Sequence, residues 1–184
     1  SFNCVTVDGD PSTNDTALLL ASGVAGVTIG PANLAQFTAA LTGVCVDLAR
    51  QIAADGEGAT KFVTVTVTGA RSVADARTIA RTIARSPLVK TAVHGGDPNW
   101  GRVLAAAGVA GVDLDPSRLA LHFGALQLVA AGTPIAYTEA EAAAQIVGHA
   151  VVITLDLGLG AAVGHAWTCD LSAEYVSINA DYRT

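Results

Sequence analysis

The run Phe62-Val-Thr-Val-Thr-Val-Thr-Gly-Ala70 constrains the fold of this chain more than any other stretch. Val and Thr alternate with a period of two, and β-branched side chains favour extended backbone, so the spacing predicts a strand over Phe62–Gly69. Helical patterns flank it. Upstream, Pro31 opens a segment in which Leu34, Phe37, Leu41, Val44, Leu48 and Ile52 recur at steps of three and four. That pattern predicts a long helix with one buried stripe, ended by Gly56 or Gly58. Downstream, the spacing predicts a helix over about Ser72 to Arg85, with Arg71, Asp75, Arg77, Arg81 and Arg85 on a solvated face and Pro87 as its stop.

The same alternation of strand and helix patterns runs along the rest of the chain and places it in the mixed α/β class. Phe2–Val7 reads as a short strand, followed by a turn at Asp8–Pro11. Ser12 or Thr13 caps a short helix to about Ser22. Leu88–Val93 reads as a strand. His94–Gly101 reads as a loop feeding a helix through Ala107, with Asp97 as its N-cap and Pro98 at its first helical position. Leu119–Ala130 reads as a strand or hairpin, and Thr138 with Glu141 forms a capping box for a helix to His149. Val151–Leu157 and Ala161–Cys169 read as strands, and Leu171–Thr184 as a short mixed tail. No internal repeat interrupts this order, and a weak boundary falls near Lys61.

With 51% hydrophobic and 14% charged residues among 184, the chain can bury a sizeable core. Its 10 basic residues stand against 16 acidic ones, without a Lys/Arg run, which argues against nucleic acid or an anionic membrane as partner. No apolar run reaches the ~18 residues of a membrane-spanning helix. Cys4, Cys45 and Cys169 have no metal-ligand spacing and read as reduced core cysteines of a cytoplasmic protein. The first residues read as a strand already under way and the chain contains no Met, as expected of a processed or truncated product.

Three stretches carry residues suited to chemistry. Asp8-Gly-Asp-Pro-Ser-Thr-Asn-Asp15 groups carboxylates as a metal loop would, but Pro11 breaks the calcium-loop pattern; a turn with a helix cap, or a packed turn beside an active site, fits as well. His94-Gly-Gly-Asp-Pro-Asn-Trp-Gly-Arg102 places glycines before a helix, where backbone N–H groups can cradle an anion or simply form a tight turn anchored by Trp100. His94 is also the candidate base if a cysteine were a nucleophile. Glu57 stands between Gly56 and Gly58, just past a helix C-terminus, where the macrodipole disfavours a carboxylate. His122, His149 and His165 fall in strand or helix-end contexts and read as structural.

Four blocks resemble, in order and over essentially the whole chain, the ornithine acetyltransferase family, also called the glutamate N-acetyltransferase or bifunctional arginine-biosynthesis family. They are VDGDPSTNDT (Val7–Thr16), DGEGATK (Asp55–Lys61), SPLVKTAVHGGDPNWGRVLAAAG (Ser86–Gly108) and YVSINADYRT (Tyr175–Thr184). The resemblance implies a precursor that cleaves itself into α and β chains, the new N-terminal Thr of the β chain being the nucleophile. That Thr takes the acetyl group of N-acetylornithine and passes it to glutamate, with an oxyanion hole supplied by the α chain; some members also accept acetyl-CoA. The family's cleavage motif is absent here, so the resemblance implies a β-chain portion whose nucleophile lies upstream of Ser1, with no catalytic residue in this chain, no metal and no cofactor. It implies that Glu57, Asn179 and Thr184 bind substrate, and transfers no role to Asp8, Asp10, His94 or Arg102.

The implied fold is a layered α-β-β-α, N-terminal-nucleophile-like catalytic domain completed by the α chain, plus a smaller α/β domain. Residues 1–61 would belong to the catalytic domain, 62–174 to the smaller domain, and 175–184 to a tail returning to the active site. The implied assembly is an α2β2 heterotetramer, and the β portion alone should expose apolar surface that meets the α chain. The alternatives are a related N-terminal-nucleophile amidohydrolase or aminopeptidase, and a non-catalytic partner subunit.

Overall fold

A computed structural model of the chain describes residues 1–181 and shows a mixed α/β architecture. Its centre is a six-stranded sheet in the order β4-β3-β2-β5-β1-β6. The strands are β1 (Phe62–Ala70), β2 (Ala120–Phe123), β3 (Leu126–Ala130), β4 (Thr133–Pro134), β5 (Ala150–Asp156) and β6 (Ala162–Cys169). β1 runs parallel to β5 and antiparallel to β6, and β2–β3 is the hairpin expected over Leu119–Ala130.

The register explains the alternation in β1. Val63, Val65 and Val67 lie opposite Val151, Ile153 and Leu155 of β5, and all six are at most 1% exposed. Helix α2 (Val73–Arg85) packs on this face through Ala76, Ile79, Ala80, Ile83 and Ala84. The sequence places these residues at steps of three and four, so the apolar stripe of α2 meets the apolar face of β1. Ser72 caps α2 by accepting a bond from the Asp75 N–H at 3.1 Å. Helix α4 (Trp100–Gly108) joins the same core, with Trp100 packed partly buried against it. On the opposite face, α1 (Leu34–Ala54) covers only one end of the sheet, where Ala49 and Ala53 pack with Phe62, Trp167 and Cys4.

Several local expectations differ from the structure. Phe2–Cys4 is a turn of 3-10 helix rather than a strand, and Val5 makes a single bridge to Trp167. No helix forms near Ser12–Ser22. Side chains there bond to neighbouring backbone, as in Asn14 N–H to Ser12 Oγ at 3.1 Å, and Leu18, Leu19 and Leu20 are 68–89% exposed. A short helix with nothing to pack against is not stable on its own.

Leu88–Val93 is helical, not extended. Ser86 caps α3 (Pro87–His94) by accepting from Val89 N–H, Pro87 occupies its first turn, and Val89, Lys90, Ala92 and Val93 are buried on one side. The cap of α4 is Asn99, which accepts from the Arg102 N–H at 3.0 Å, and not Asp97. The capping box of Thr138 and Glu141 is present, but α5 (Glu139–Ala144) stops before His149 because the chain turns at Gln145 to enter β5. The tail contributes a helix, α6 (Ala173–Asp181).

The largest difference concerns α1. Its apolar stripe is not buried: Leu34, Phe37, Val44, Leu48 and Ile52 are 39–56% exposed, while the alanines at 49 and 53 are fully covered. Periodicity identified the helix, but this helix uses its small-residue face to approach the sheet.

Candidate functional site

Glu57 lies in the turn that links α1 to β1. Helix α1 ends at Ala54 with Asp55 as its C-cap, and one internal bond, Ala59 N–H to Gly56 O at 2.9 Å, closes the turn. The glycines on either side of Glu57 serve packing against the protein itself. A Cβ on Gly56 would lie 2.7 Å from Cys169 Sγ, and Gly58 has a left-handed φ of 65° with its backbone against the start of α6. A Cβ on Gly58 would lie 2.6 Å from the Tyr175 nitrogen. The pair of glycines therefore lets two protein segments approach closely, rather than simply leaving room for a ligand.

Helix α6 brings Asn179 to Glu57. Asn179 Nδ2 donates to Glu57 Oε2 at 2.6 Å, across 122 residues of sequence, and also to the Tyr175 carbonyl at 3.0 Å. Tyr175 donates its hydroxyl to Asp8 Oδ2 at 3.1 Å. Partial burial, with that bond and the charges of Asp8, Glu57 and Asp10, raises the Tyr175 phenol above its ordinary value, so the hydroxyl stays protonated. Two of the expected binding residues, Glu57 and Asn179, thus come together. Asp8 and Asp10 of the acidic stretch join them from the other end of the chain. Thr184 lies outside the described residues. A surface that gathers three carboxylates around one hydroxyl and one amide suits a ligand carrying an ammonium group.

Behind this surface lies Asp170, directly after β6, with its side chain fully buried. Its Oδ1 accepts from the N–H groups of Thr60 at 2.7 Å and Lys61 at 2.8 Å. Its Oδ2 accepts from Thr60 Oγ1 at 2.6 Å and pairs with His94 Nδ1 at 2.7 Å. Burial opposes the charged form, but the bonds from Thr60, His94 and the two backbone N–H groups prevail and hold the carboxyl below its ordinary range. Because the folded value lies below the unfolded value of about 3.9, this stabilisation is complete above about pH 4 and is lost as pH falls through the folded value. Denaturant unfolding at a series of pH values should therefore show Asp170→Asn less stable than wild type near neutrality, with the gap narrowing below about pH 4. A gap that stays constant with pH would contradict a charged Asp170.

Asp170, Thr60, Tyr175 and Lys90 are functional-site residues to which the sequence alone assigns no role. One available signal was an acid directly after a strand of buried residues, WTCDL, since a carboxylate there must find several donors. Lys90 is 3% exposed, donates to the Val7 carbonyl and lies 3.8 Å from Cys169 Sγ. Burial lowers the Lys90 ammonium below its ordinary value and raises the Cys169 thiol. A buried thiol kept protonated is not a nucleophile, and His94 is engaged by Asp170. The glycines after α3 are not an anion cradle either. Gly95, Gly96 and Asp97 donate their N–H groups to the Thr91, Val93 and Ala92 carbonyls and close the end of α3. Arg102 Nη1 ties α4 to α3 through the Leu88 carbonyl at 2.9 Å. His149 and His165 bond to Thr60 O and Thr66 Oγ1 at 2.9 and 3.1 Å. Cys4, Cys45 and Cys169 are all free thiols. Among the described residues no helix is long and apolar enough to cross a membrane.

A model of the family described as the ArgJ family matches residues 1–184. A protein of Deinococcus radiodurans named arginine biosynthesis bifunctional protein ArgJ is 53% identical over 184 residues, covering all of this chain and 46% of that protein. A protein of the same name from Symbiobacterium thermophilum is 51% identical, again over all of this chain and 46% of its own length. The chain thus spans about half the length of the curated relatives it matches. The crystal structure of arginine biosynthesis bifunctional protein argJ from Bacillus halodurans superposes with a TM-score of 0.94 at 42% identity, covering 99% of this chain and 87% of that one.

Proposed function

The chain belongs to the ArgJ family, and from that premise we propose that it forms part of an acetyltransferase moving an acetyl group from N-acetylornithine to glutamate in arginine biosynthesis. The observation that carries the proposal is the convergence of Glu57 and Asn179, joined at 2.6 Å, with Asp8 and Tyr175 beside them. The free amino group of N-acetylornithine is a cation under physiological conditions, and Glu57, next to Asn179, offers it a carboxylate. The reaction is two acyl transfers. A Thr hydroxyl attacks the acetamide carbonyl, ornithine leaves with the hydroxyl proton, and an acetyl-Thr ester remains. The glutamate amine then attacks the ester, N-acetylglutamate leaves, and the Thr hydroxyl is restored.

In this proposal the nucleophilic Thr belongs to the same β chain, upstream of Ser1, and the oxyanion-hole donors come from the α chain, the complementary part of the same precursor, which assembles with the β chain as an α2β2 heterotetramer in the cytoplasm. Residues 1–61 complete the catalytic domain, residues 62–174 form the smaller domain, and the tail from Tyr175, Thr184 included, returns to the substrate. The exposed stripe of α1 is the face that receives the complementary part. In its support, the relatives are about twice as long as this chain, and the stripe's apolar side chains are otherwise left in water. Acetyl transfer between substrates needs no resident cofactor; acetyl-CoA enters the proposal only as a second acetyl donor.

In the assembled enzyme, Glu57→Gln should lower kcat/KM for N-acetylornithine by roughly 10- to 100-fold, the loss of a hydrogen bond between charged groups. Unchanged kcat/KM would remove Glu57 from the substrate site. The same assay with and without glutamate tests the reaction class, because acetate released to water with no N-acetylglutamate formed would assign an amidohydrolase instead.

A further inference from the structure

The turn that presents Glu57 is held in place mainly by residues distant in sequence, Asp170 and Ser172 above all, with His149 Nδ1 bonded to Thr60 O at 2.9 Å and Lys61 Nζ donating to Val93 O at 2.8 Å. Its internal support is the one bond from Ala59 N–H to Gly56 O. Asp170 Oδ1 takes two successive backbone N–H groups, those of Thr60 and Lys61, at 2.7 and 2.8 Å. That pairing fixes the orientation of two adjacent peptide planes three and four residues after Glu57. Oδ2 holds the Thr60 side chain at 2.6 Å, and the Asp170 N–H returns a bond to Lys61 O at 3.1 Å. Ser172 grips the turn on the other side of Thr60, donating to Gly58 O at 2.6 Å. The same segment then opens α6, which carries Asn179 to Glu57 at 2.6 Å.

We propose that Asp170 is the positioning residue for Glu57: by clamping Thr60 and Lys61 while its own segment leads into α6, it sets both Glu57 and its partner Asn179 at the distance a substrate ammonium requires. This rests on the functional role assigned to Glu57 above. A fully buried carboxylate is an expensive way to hold a turn, and a well-packed apolar side chain would serve stability as well. A carboxylate earns its place here through direction, since its two oxygens fix three donors of one short segment at once. Its fourth bond, to His94 at 2.7 Å, anchors the clamp to the end of α3.

A double-mutant cycle in the assembled enzyme tests this, with KM and kcat for N-acetylornithine measured for wild type, Glu57→Gln, Asp170→Ala and the pair. Asp170→Ala should raise KM by about tenfold with kcat within about threefold. In the Glu57→Gln background the same change should raise KM less than about twofold, because Asp170 acts through Glu57. Asp170→Asn should recover most of the loss, since its Oδ1 still accepts both backbone N–H groups. A KM penalty of equal size in both backgrounds, or an unmoved KM in Asp170→Ala, overturns the proposal. An unmoved KM in Glu57→Gln alone overturns the site assignment itself and is distinguishable from either result. If Asp170→Ala does not assemble, Ser172→Ala enters the same cycle, and additivity there counts against the clamp in the same way.

Discussion

Gly164→Val lowers the stability of the chain by about 3 kcal/mol, seen as a fall in melting temperature of roughly 6–12 °C for a chain of this size. Gly164 sits in β6 opposite Val67 on the face covered by α2. A Cβ placed on it would lie 2.6 Å from the Arg77 nitrogen and 2.7–2.8 Å from Ala76 carbons. Two of the three atoms are helix backbone, so they cannot rotate aside as the end of a flexible side chain could. Helix α2 would have to lift from the sheet, and Ala76, Ile79, Ala80 and Ile83, each 0% exposed, would lose contact together. Gly43, in α1, provides the control, because a Cβ there meets nothing within 4 Å. Gly43→Ala should be neutral or stabilising by up to about 1 kcal/mol through helix propensity. Equal melting temperatures for Gly164→Val and wild type would show that α2 does not rest on β6.

The second large effect is on assembly rather than on folding. Phe37→Asp combined with Leu48→Asp should change the unfolding free energy of the chain alone by no more than about 1 kcal/mol, two surface substitutions at up to about 0.5 kcal/mol each. Both side chains are exposed, at 39% and 46%, and lie away from the buried Ala49 and Ala53. If the exposed stripe of α1 receives the proposed complementary part, the same double variant should weaken that association at least about a hundredfold, because each introduced carboxylate must be desolvated in an apolar interface. Co-purification of the two parts at equal expression measures this directly. Full recovery of the complex would move the interface elsewhere on the chain. A lower midpoint in the isolated chain would instead mean that the stripe packs internally.

How much of the fold was legible depended on whether the decisive interactions were local. FVTVTVTGA and the helix of Ser72–Arg85 are recognisable because each carries its own period, and the helix also its own cap at Ser72. Leu88–Val93 is helical and not the expected strand: a short apolar run has no distinguishing period, and the signal that decides it is the cap at Ser86 with Pro87 behind it. The spacing in α1 predicts a stripe, which is present, and its burial, which is not. Periodicity reports that side chains share a face, whereas burial depends on what lies opposite that face. The tail appeared irregular because Ala173–Asp181 has little amphipathic pattern and no buried residue.

The candidate site divides the same way. Glu57 stood out locally as an acid beyond a helix C-terminus, and Asn179 entered through family resemblance; their 2.6 Å bond joins residues 122 apart. Asp170 has only the local signal of an acid directly after a buried strand, and its role exists only once β6 ends beside the Thr60–Lys61 turn. By itself the sequence determined the element types that have their own period, the mixed α/β class and the acid at position 57. Only the tertiary structure decided which face of α1 is covered, why Gly56 and Gly58 flank that acid, and which buried carboxylate holds it. The physical reason is that hydrogen bonding and burial are settled by neighbours in space, and a chain's periodicity describes only neighbours along itself.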